Sequence, residues 1–304
     1  MPAMPALSVI GTPTKRNTIL ELAAEAERRG FAGLASPGVH GNLAMCGSLA
    51  HVTNTIPFWT SIQPIYHGHP VEVAITAGHL YEVSGGRFRL GLGVSHGPSM
   101  QRLGIDTGKP LHDINEYVAA VRAAKRASGD QPPIYLATLR DKMLDLALTI
   151  ADGAIWANAS RRHMPTQVAR VKASDRHDFF LANMIPTVID SDVDAARAVH
   201  RRTLTGYVAL PNYRNYWKLA GYEEEMIAME AALAAGEKDR LPSLMTDAWI
   251  DDCTISGSAE AVRDRIEEWS SLGVLPILVM MSTTGGQAKA IGELFDLYAP
   301  GRPS

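Results

Sequence analysis

Short apolar runs alternate with longer segments of helical period along most of the chain. Runs of apolar and β-branched residues predict strands, whereas apolar positions three and four residues apart predict amphipathic helices. The segment from Asn17 to Arg29 is the clearest helix, since Ile19, Ala23 and Ala26 share one face and Gly30 follows its end. The predicted strands are Ala6–Ile10, Phe31–Ala35, Ile56–Ile62, Arg89–Val94, Pro133–Ala137, Gly153–Ala157, Phe179–Val188 and Pro276–Met281.

This alternation is typical of βα units in a parallel sheet. Eight such steps predict an α/β protein with a (β/α)₈ barrel, formed by residues 1–304 as a single domain. Residues 203–252 do not fit one βα step, and we interpret them as a helical insertion before the last strand. An open doubly wound sheet is the alternative fold. The glycine-rich turn from Ser36 to Gly41 argues against it, because it lacks the spacing of a dinucleotide-binding fingerprint.

Composition narrows the possible partners. With 46% hydrophobic and 20% charged residues, the chain can bury a large core, and its net charge of -3 gives no excess of positive charge for nucleic acid or an anionic membrane. The sequence has no apolar run of membrane-spanning length and no signal-peptide pattern at its start, so we expect a cytoplasmic protein. Cys46 and Cys253 are interpreted as buried thiols.

The segment from Gly85 to Pro98 is the strongest candidate for chemistry. Barrel enzymes carry their chemistry at the carboxyl ends of the strands, and this strand ends in small residues that let a ligand approach the backbone amides. The alternative is that Gly91 and Gly93 only relieve crowding in a packed strand.

The same segment resembles a known family. His69-Pro70, a helix, Ser84-Gly85-Gly86-Arg87 and the block Leu90 to Gly93 are similar to the luciferase-like superfamily of flavin monooxygenases and deazaflavin oxidoreductases. The resemblance implies a barrel that binds FMN or coenzyme F420, acts on a small organic substrate and forms a homodimer. The ending Gly-Val-Ser-His favours F420 over FMN.

The resemblance also implies site residues. It places the Ser61-Ile62 pair in a bulge under the cofactor ring, joined by a cis peptide bond, where residues alone would favour a trans bond. Residues Gly93, Val94, Ser95 and His96 would hold the ring. Thr138, Leu139 and Arg140 would approach the phosphate at a helix start; alternatively, Thr138 caps that helix and Arg140 is a solvated charge.

Four histidines follow predicted strands: His40, His67, His69 and His96. Their spacing forms no compact ligand motif, so we predict no metal site. We interpret His40 and His96 as the catalytic candidates, with His40 favoured for proton transfer and His96 for contact with the cofactor. His67 is a candidate substrate contact, and His69 is expected to brace a helix start.

Two aromatic features stay open. Trp156, at the end of the sixth strand, either walls the ring pocket or fills the barrel mouth. The patch from Tyr207 to Trp217 covers the substrate, with Tyr213 as the candidate contact, or forms a dimer face or the core of the insertion.

The sequence departs from the family pattern in two places. The turn after the second strand has His40 but no carboxylate, and the chain between Ala127 and Pro132 is short. The expected function is hydride transfer between F420 and a small organic substrate. The alternatives are an FMN-dependent monooxygenase served by a flavin reductase and a non-catalytic flavin-binding barrel. The sequence has no nucleophile elbow and no lysine at a strand end, so nothing in it points to a hydrolase or an aldolase.

Overall fold

A computed structural model describes residues 4–298 of the chain. By their contacts these residues divide into two compact units. The N-terminal unit comprises residues 4–156 and Ser174–Ala182, and the C-terminal unit comprises Ala157–Ala173 and 183–298. The prediction of a single domain stays a prediction.

Parallel strands form the sheet of the N-terminal unit. Its strands are β1 (Ala6–Ser8), β2 (Gly33–Ser36), β3 (Phe58–Thr60), β4 (Gln63–Pro64), β5 (Phe88–Gly93), β6 (Ile134–Ala137) and β7 (Gly153–Ala157), the last of which ends at the boundary between the units. They lie in the order β1-β2-β3-β5-β6-β7, with β4 paired to β5 beyond the end of β3.

Helices follow most of these strands in the chain. They are α1 (Arg16–Arg28), α2 (Asn42–Val52), α3 (Pro70–Val83), α4 (Gly97–Arg102), α5 (Pro110–Ala123), α6 (Lys125–Ser128) and α7 (Asp141–Ile150), together with a 3-10 helix at Ile65–His67. Local sequence explains their ends. His69 caps α3 before Pro70, its side chain accepting a hydrogen bond from the backbone N–H of Val71, which confirms the bracing role.

The C-terminal unit holds three further strands and the remaining helices. β8 (Phe180–Ile189), all but its first three residues in this unit, pairs with both β9 (Ile255–Gly257) and β10 (Leu275–Met281). The helices are α8 (Met164–Lys172), α9 (Val193–Val208), α10 (Pro211–Leu219), α11 (Glu223–Ala234), α12 (Leu241–Leu244), α13 (Asp247–Cys253), α14 (Ala259–Ser271) and α15 (Gln287–Leu297), with a 3-10 helix at Lys238–Arg240.

The fold is the predicted (β/α)₈ barrel, and each predicted strand has a counterpart in the structure. Several details differ. The third predicted strand, Ile56–Ile62, is broken after Thr60, and β9 was missed because three residues carry too little pattern. The helices α4 and α8 were also missed. The helical stretch around 203–252 begins earlier than predicted, at Val193, because α9 is one continuous helix.

The inner face of the N-terminal sheet is closed by aromatic rings. Tyr135 stacks on Phe180 with ring centroids 4.4 Å apart, and Trp59 meets Phe180 edge to face at 5.6 Å. These side chains come from strands that are not neighbours, so they fill the space that the curved sheet encloses.

The Ser84-Gly85-Gly86-Arg87 motif is a structural joint. Gly85 and Gly86 have φ values of 64° and 81°, and the Gly86 N–H donates to the carbonyl of Tyr81, which ends α3 in a left-handed cap. The Ser84 hydroxyl then accepts hydrogen bonds from the N–H groups of Arg87 and Phe88, at 3.2 Å each. The motif thus turns the chain from α3 into β5.

Arg87 ties this turn to the end of α2. Its guanidinium donates to the carbonyls of Ala50, Thr53 and Ile56 and to the Thr53 hydroxyl, at 2.8 to 3.1 Å, while Nε donates to the Ser84 carbonyl at 2.8 Å. The unpaired carbonyls at the end of a helix therefore find one planar cation with five donors.

Glu27 of α1 holds the other side of the same connection. Its carboxylate accepts from the backbone N–H groups of Asn54, Thr55 and Ile56 at 2.6 to 3.0 Å. Burial alone would raise the pKa of Glu27, but these hydrogen bonds outweigh it and lower the pKa from 4.5 to about 2.

Replacing Arg87 should destabilise the fold. We expect Arg87→Ala to lower the free energy of unfolding by about 3 kcal/mol, because several buried carbonyls lose their donors, and Arg87→Lys by about 2 kcal/mol, because one ammonium cannot span them. Urea unfolding measures both. Arg28→Ala is the control, since the Arg28 side chain is 64% exposed, and it should stay within about 0.5 kcal/mol of the wild type. Equal losses for Arg87→Ala and Arg28→Ala would contradict this role.

Glu27 predicts a pH-dependent stability. A carboxyl whose pKa is lower in the folded state stabilises the fold above the unfolded pKa of 4.5 and loses that contribution as the pH falls toward 2. The wild type should therefore have a larger free energy of unfolding than Glu27→Gln at neutral pH, and this difference should disappear as the pH falls from 4.5 toward 2. Urea unfolding at a series of pH values measures it. Glu21→Gln, at an exposed position of α1, should show no such closing gap.

Candidate functional site

The carboxyl end of β3 contains one residue more than its neighbour. Trp59 is opposite Arg89, and Gln63 is opposite Leu92. Four residue steps from Trp59 to Gln63 therefore face three residue steps from Arg89 to Leu92. This is a β-bulge at Ser61 and Ile62. The peptide bond between these two residues is cis, which confirms what the resemblance implied.

Thr60 makes the bulge compatible with a buried strand. Its hydroxyl donates to the Gly91 carbonyl at 2.8 Å and accepts from the Gly91 N–H at 2.9 Å. Both backbone groups of Gly91 are thereby paired where the regular ladder is interrupted. Only glycine fits here, because a Cβ at position 91 would lie 1.9 Å from the Thr60 carbonyl oxygen.

Ile62 fills the space in front of Gly93. A Cβ on Gly93 would lie 2.8 Å from the Ile62 side chain and 2.9 Å from the Ala137 Cβ. The structure therefore brings Ile62 and Gly93 together, as predicted for the ring end of a cofactor site. It also gives both glycines a packing function, so the packing alternative holds beside the ligand-binding one.

The turn after β2 lies against the bulge. The Ser61 N–H donates to the Ser36 carbonyl at 2.7 Å, and a Cβ on Gly38 would lie 2.5 Å from the Ile62 carbonyl oxygen. His40 follows in this turn, exposed and in a left-handed conformation with φ of 54°. A non-glycine residue in this region is strained and is often found at functional sites.

The end of β5 has the same kind of strain. Ser95 has φ of 61°, and His96, the next residue, is half-buried at the start of α4. Burial lowers the pKa of His96 below its ordinary value, because a desolvated imidazolium is disfavoured. The side chain is thus a neutral imidazole at neutral pH, suited to exchange a hydrogen bond or a proton.

The segment after β6 leads into α7. The Thr138 N–H donates to the Ile155 carbonyl at 2.9 Å, and Thr138 as a residue is 5% exposed. Within residues 4–298, Oγ1 of Thr138 has no hydrogen-bond partner. Leu139 is half-buried, and Arg140, exposed, is the residue before the helix rather than Thr138. Thr138 is therefore not the helix cap, and its free hydroxyl can serve a ligand.

Trp156 lies on the other face of the sheet. Tyr135 is on the inner face and is in register with Gly153, so Gly153 and Ile155 also face inward. Successive residues of a strand alternate between its two faces, so Trp156 faces the helices. The wall interpretation of Trp156 is not supported by this placement. His67 lies exposed in the 3-10 helix after β4, and its contact with substrate stays a prediction.

Tyr213 belongs to the core of the helical segment in the C-terminal unit. It is 6% exposed, and its ring lies 5.0 Å from that of Tyr207 and 5.3 Å from that of Trp217. These contacts favour the alternative that the aromatic patch is the core of the insertion. Its place as a substrate contact stays a prediction.

Residues 4–298 contain no group of three or more His, Cys, Asp or Glu side chains arranged to hold a metal ion. None of the helices in this range has the length and apolar character needed to cross a membrane.

Comparison with known proteins places the chain in a family. The sequence profile of the luciferase-like monooxygenase family matches residues 5–275, and the chain belongs to this family of oxidoreductases. It is 27% identical over 267 residues to the 5,10-methylenetetrahydromethanopterin reductase of Archaeoglobus fulgidus, covering 77% of this chain and 80% of the relative.

Solved structures share the fold. The coenzyme F420-dependent tetrahydromethanopterin reductase of Methanopyrus kandleri has a TM-score of 0.73 at 18% identity, covering 95% of this chain and 96% of that chain. An F420-dependent secondary alcohol dehydrogenase, solved with an F420-acetone adduct, has a TM-score of 0.70 at 17% identity and covers 98% of both chains.

Sequence reasoning missed Gly38 and Asn42, which both approach the Ile62 carbonyl. The Asn42 side-chain amide donates to this oxygen at 3.4 Å. The signal available in the sequence was an asparagine directly after Gly41, in the first turn of a helix that follows a strand end.

The packing of the two strand glycines can be tested separately. Gly91→Ala should lower the free energy of unfolding by about 3 kcal/mol or more, because its Cβ meets a backbone oxygen that cannot move aside. Gly93→Ala should cost about 1–2 kcal/mol, since it displaces the Ile62 side chain. Urea unfolding measures the order. Gly97→Ala, which adds a Cβ in open space, is the control. A Gly91→Ala variant as stable as Gly97→Ala would exclude the Thr60 contact as a constraint.

Proposed function

We propose that this chain is an F420-dependent oxidoreductase that transfers hydride between the deazaflavin and a small organic substrate. The two solved structures named above are those of F420-dependent enzymes. The observation within the chain that carries the proposal is the bulge at Ser61 and Ile62, placed beside small residues at the strand ends.

The bulge suits a flat ring. Ile62 presents an aliphatic side chain against Gly93 and Ala137, and none of the three offers a charge or a bulky group that would keep a planar ring away. Backbone amides at the ends of β3 and β5 are close by, and they can bond to ring carbonyls. When bound, F420 supplies the two-electron chemistry of the reaction.

Thr138 fits the phosphate end of such a cofactor. A buried hydroxyl without a protein partner is costly unless a ligand pairs with it. It lies three residues before α7, whose first N–H groups and positive dipole end favour an anion. Arg140, exposed beside the same helix start, supplies a positive charge that can reach a phosphate.

The histidines would handle the proton. His40, in its strained turn against the bulge, is exposed to solvent and can exchange protons with it. His96 is neutral and half-buried, so it is suited to hold a hydrogen bond to a ring carbonyl rather than to carry charge. In this assignment His40 is the acid or base and His96 the contact to the cofactor.

An FMN-dependent monooxygenase is the second candidate, and membership of the luciferase-like monooxygenase family favours it. It would need reduced flavin, dioxygen and a flavin reductase as partner. A barrel that binds a flavin without catalysis is the third. The homodimer and the cytoplasmic location stay predictions.

A titration of purified protein with F420 and with FMN tests the proposal. We expect F420 to bind at micromolar or lower concentration and FMN at least about tenfold more weakly, as measured by quenching of cofactor fluorescence. Thr138→Val should weaken F420 binding about tenfold, since it removes one hydrogen bond to a charged group without changing side-chain shape.

Thr149→Val is the matched control. Thr149 lies exposed in α7, and its hydroxyl donates to the Asp145 carbonyl of the same helix, so cofactor affinity should not change. Tight FMN binding with weak F420 binding would replace the proposal with the monooxygenase. Binding of neither cofactor would favour a barrel with another ligand.

A further inference from the structure

The Ile62 carbonyl is the point where three segments meet. It belongs to the bulge at the end of β3, it lies against the backbone at Gly38, and the Asn42 amide donates to it at 3.4 Å. Asn42 is itself buried, with 6% of the residue exposed, and lies in the first turn of α2.

The local chain brings Asn42 to this carbonyl. His40 and Gly41 are both left-handed, with φ values of 54° and 80°, so the chain reverses sharply between the end of β2 and the start of α2. This reversal directs the first side chain of the helix back toward the strand ends. Gly38 makes room for the approach, since any Cβ there would meet the Ile62 oxygen at 2.5 Å.

We propose that Asn42 is a positioning residue, which fixes the Ile62 carbonyl and thereby sets the orientation of the bulge under the cofactor ring. The same hydrogen bond anchors the turn that carries His40, so the bulge and the histidine keep one relative placement. This inference rests on the proposed function, because it assigns the bulge to the cofactor ring.

The contact acts on the cofactor through geometry rather than through charge. Ile62 faces Gly93 with its side chain and Asn42 with its carbonyl, so a rotation of this segment moves both the aliphatic surface and the adjacent amides. Without the amide donor the carbonyl would have to find another partner, and the bulge would gain alternative conformations.

Asn42→Asp is the sharpest test. Aspartate has the shape of asparagine and is favourable in the first turn of a helix, so the variant should fold, but it replaces the donor with an acceptor that repels the carbonyl. We expect F420 affinity to fall about five- to tenfold, the free-energy equivalent of one hydrogen bond, and the absorption maximum of the bound deazaflavin to shift at saturation.

Two further variants complete the experiment. Asn42→Ala removes the donor without adding repulsion and should lose affinity to a smaller degree than Asn42→Asp. Asn17→Ala is the matched control, because Asn17 is exposed in the first turn of α1, and it should match the wild type in affinity and in spectrum.

The outcomes separate the inference from the proposed function. If wild type binds neither F420 nor FMN, the proposed function fails. If wild type binds and Asn42→Asp has the same affinity and the same bound spectrum, Asn42 does not position the bulge. An Asn42→Asp variant that loses its thermal unfolding transition would also overturn the inference, because Asn42 would then serve the fold as a whole.

Discussion

The hydrogen bonds between the Thr60 hydroxyl and the backbone of Gly91 are what the candidate site depends on. A strand buried in a barrel cannot leave its N–H and carbonyl groups unpaired, yet an inserted residue interrupts the ladder that pairs them. A single hydroxyl, donor and acceptor at once, pairs both groups of Gly91 and lets the extra residue stand. The placement of Ile62, the need for glycine at positions 38, 91 and 93, and the contact with Asn42 all follow from that insertion.

In the N-terminal unit, the contacts that stabilise the fold and the candidate site residues lie at opposite ends of the parallel sheet. Where β3 and β5 begin, Arg87 and Glu27 pair the backbone of the α2–β3 connection, which leaves little freedom there. Where the strands end, His40 and Ser95 have left-handed conformations, and the Thr138 hydroxyl has no hydrogen-bond partner among residues 4–298. These strained or unpaired groups cost stability, and the hydrogen bonds of Arg87 and Glu27 at the other end of the sheet compensate for that cost.

The sequence was enough to predict the barrel, the end of α1 and the brace at the start of α3, because apolar period, Gly30 and His69-Pro70 are local signals. The bulge was placed correctly only through the resemblance, since no local pattern distinguishes Ser61-Ile62 from an ordinary strand end. The sequence left Trp156 open between the pocket wall and the barrel mouth, because the face to which a strand residue points depends on register, which sequence does not reveal. The role of Asn42 was not predicted, because its hydrogen-bond partner, the Ile62 carbonyl, is twenty residues away in the sequence.

Because Arg87 stabilises the end of α2, its motif indicates a shared fold and not a shared activity. A descendant of such a barrel that abandoned its cofactor would still need the guanidinium to hold α2, whereas it would be free to replace Thr138 and His96. The motif is therefore a record of inherited architecture. A change of chemistry would first alter the residues in the turns after the strands. Related sequences should therefore be grouped by activity from those turns and not from the glycine-arginine motif.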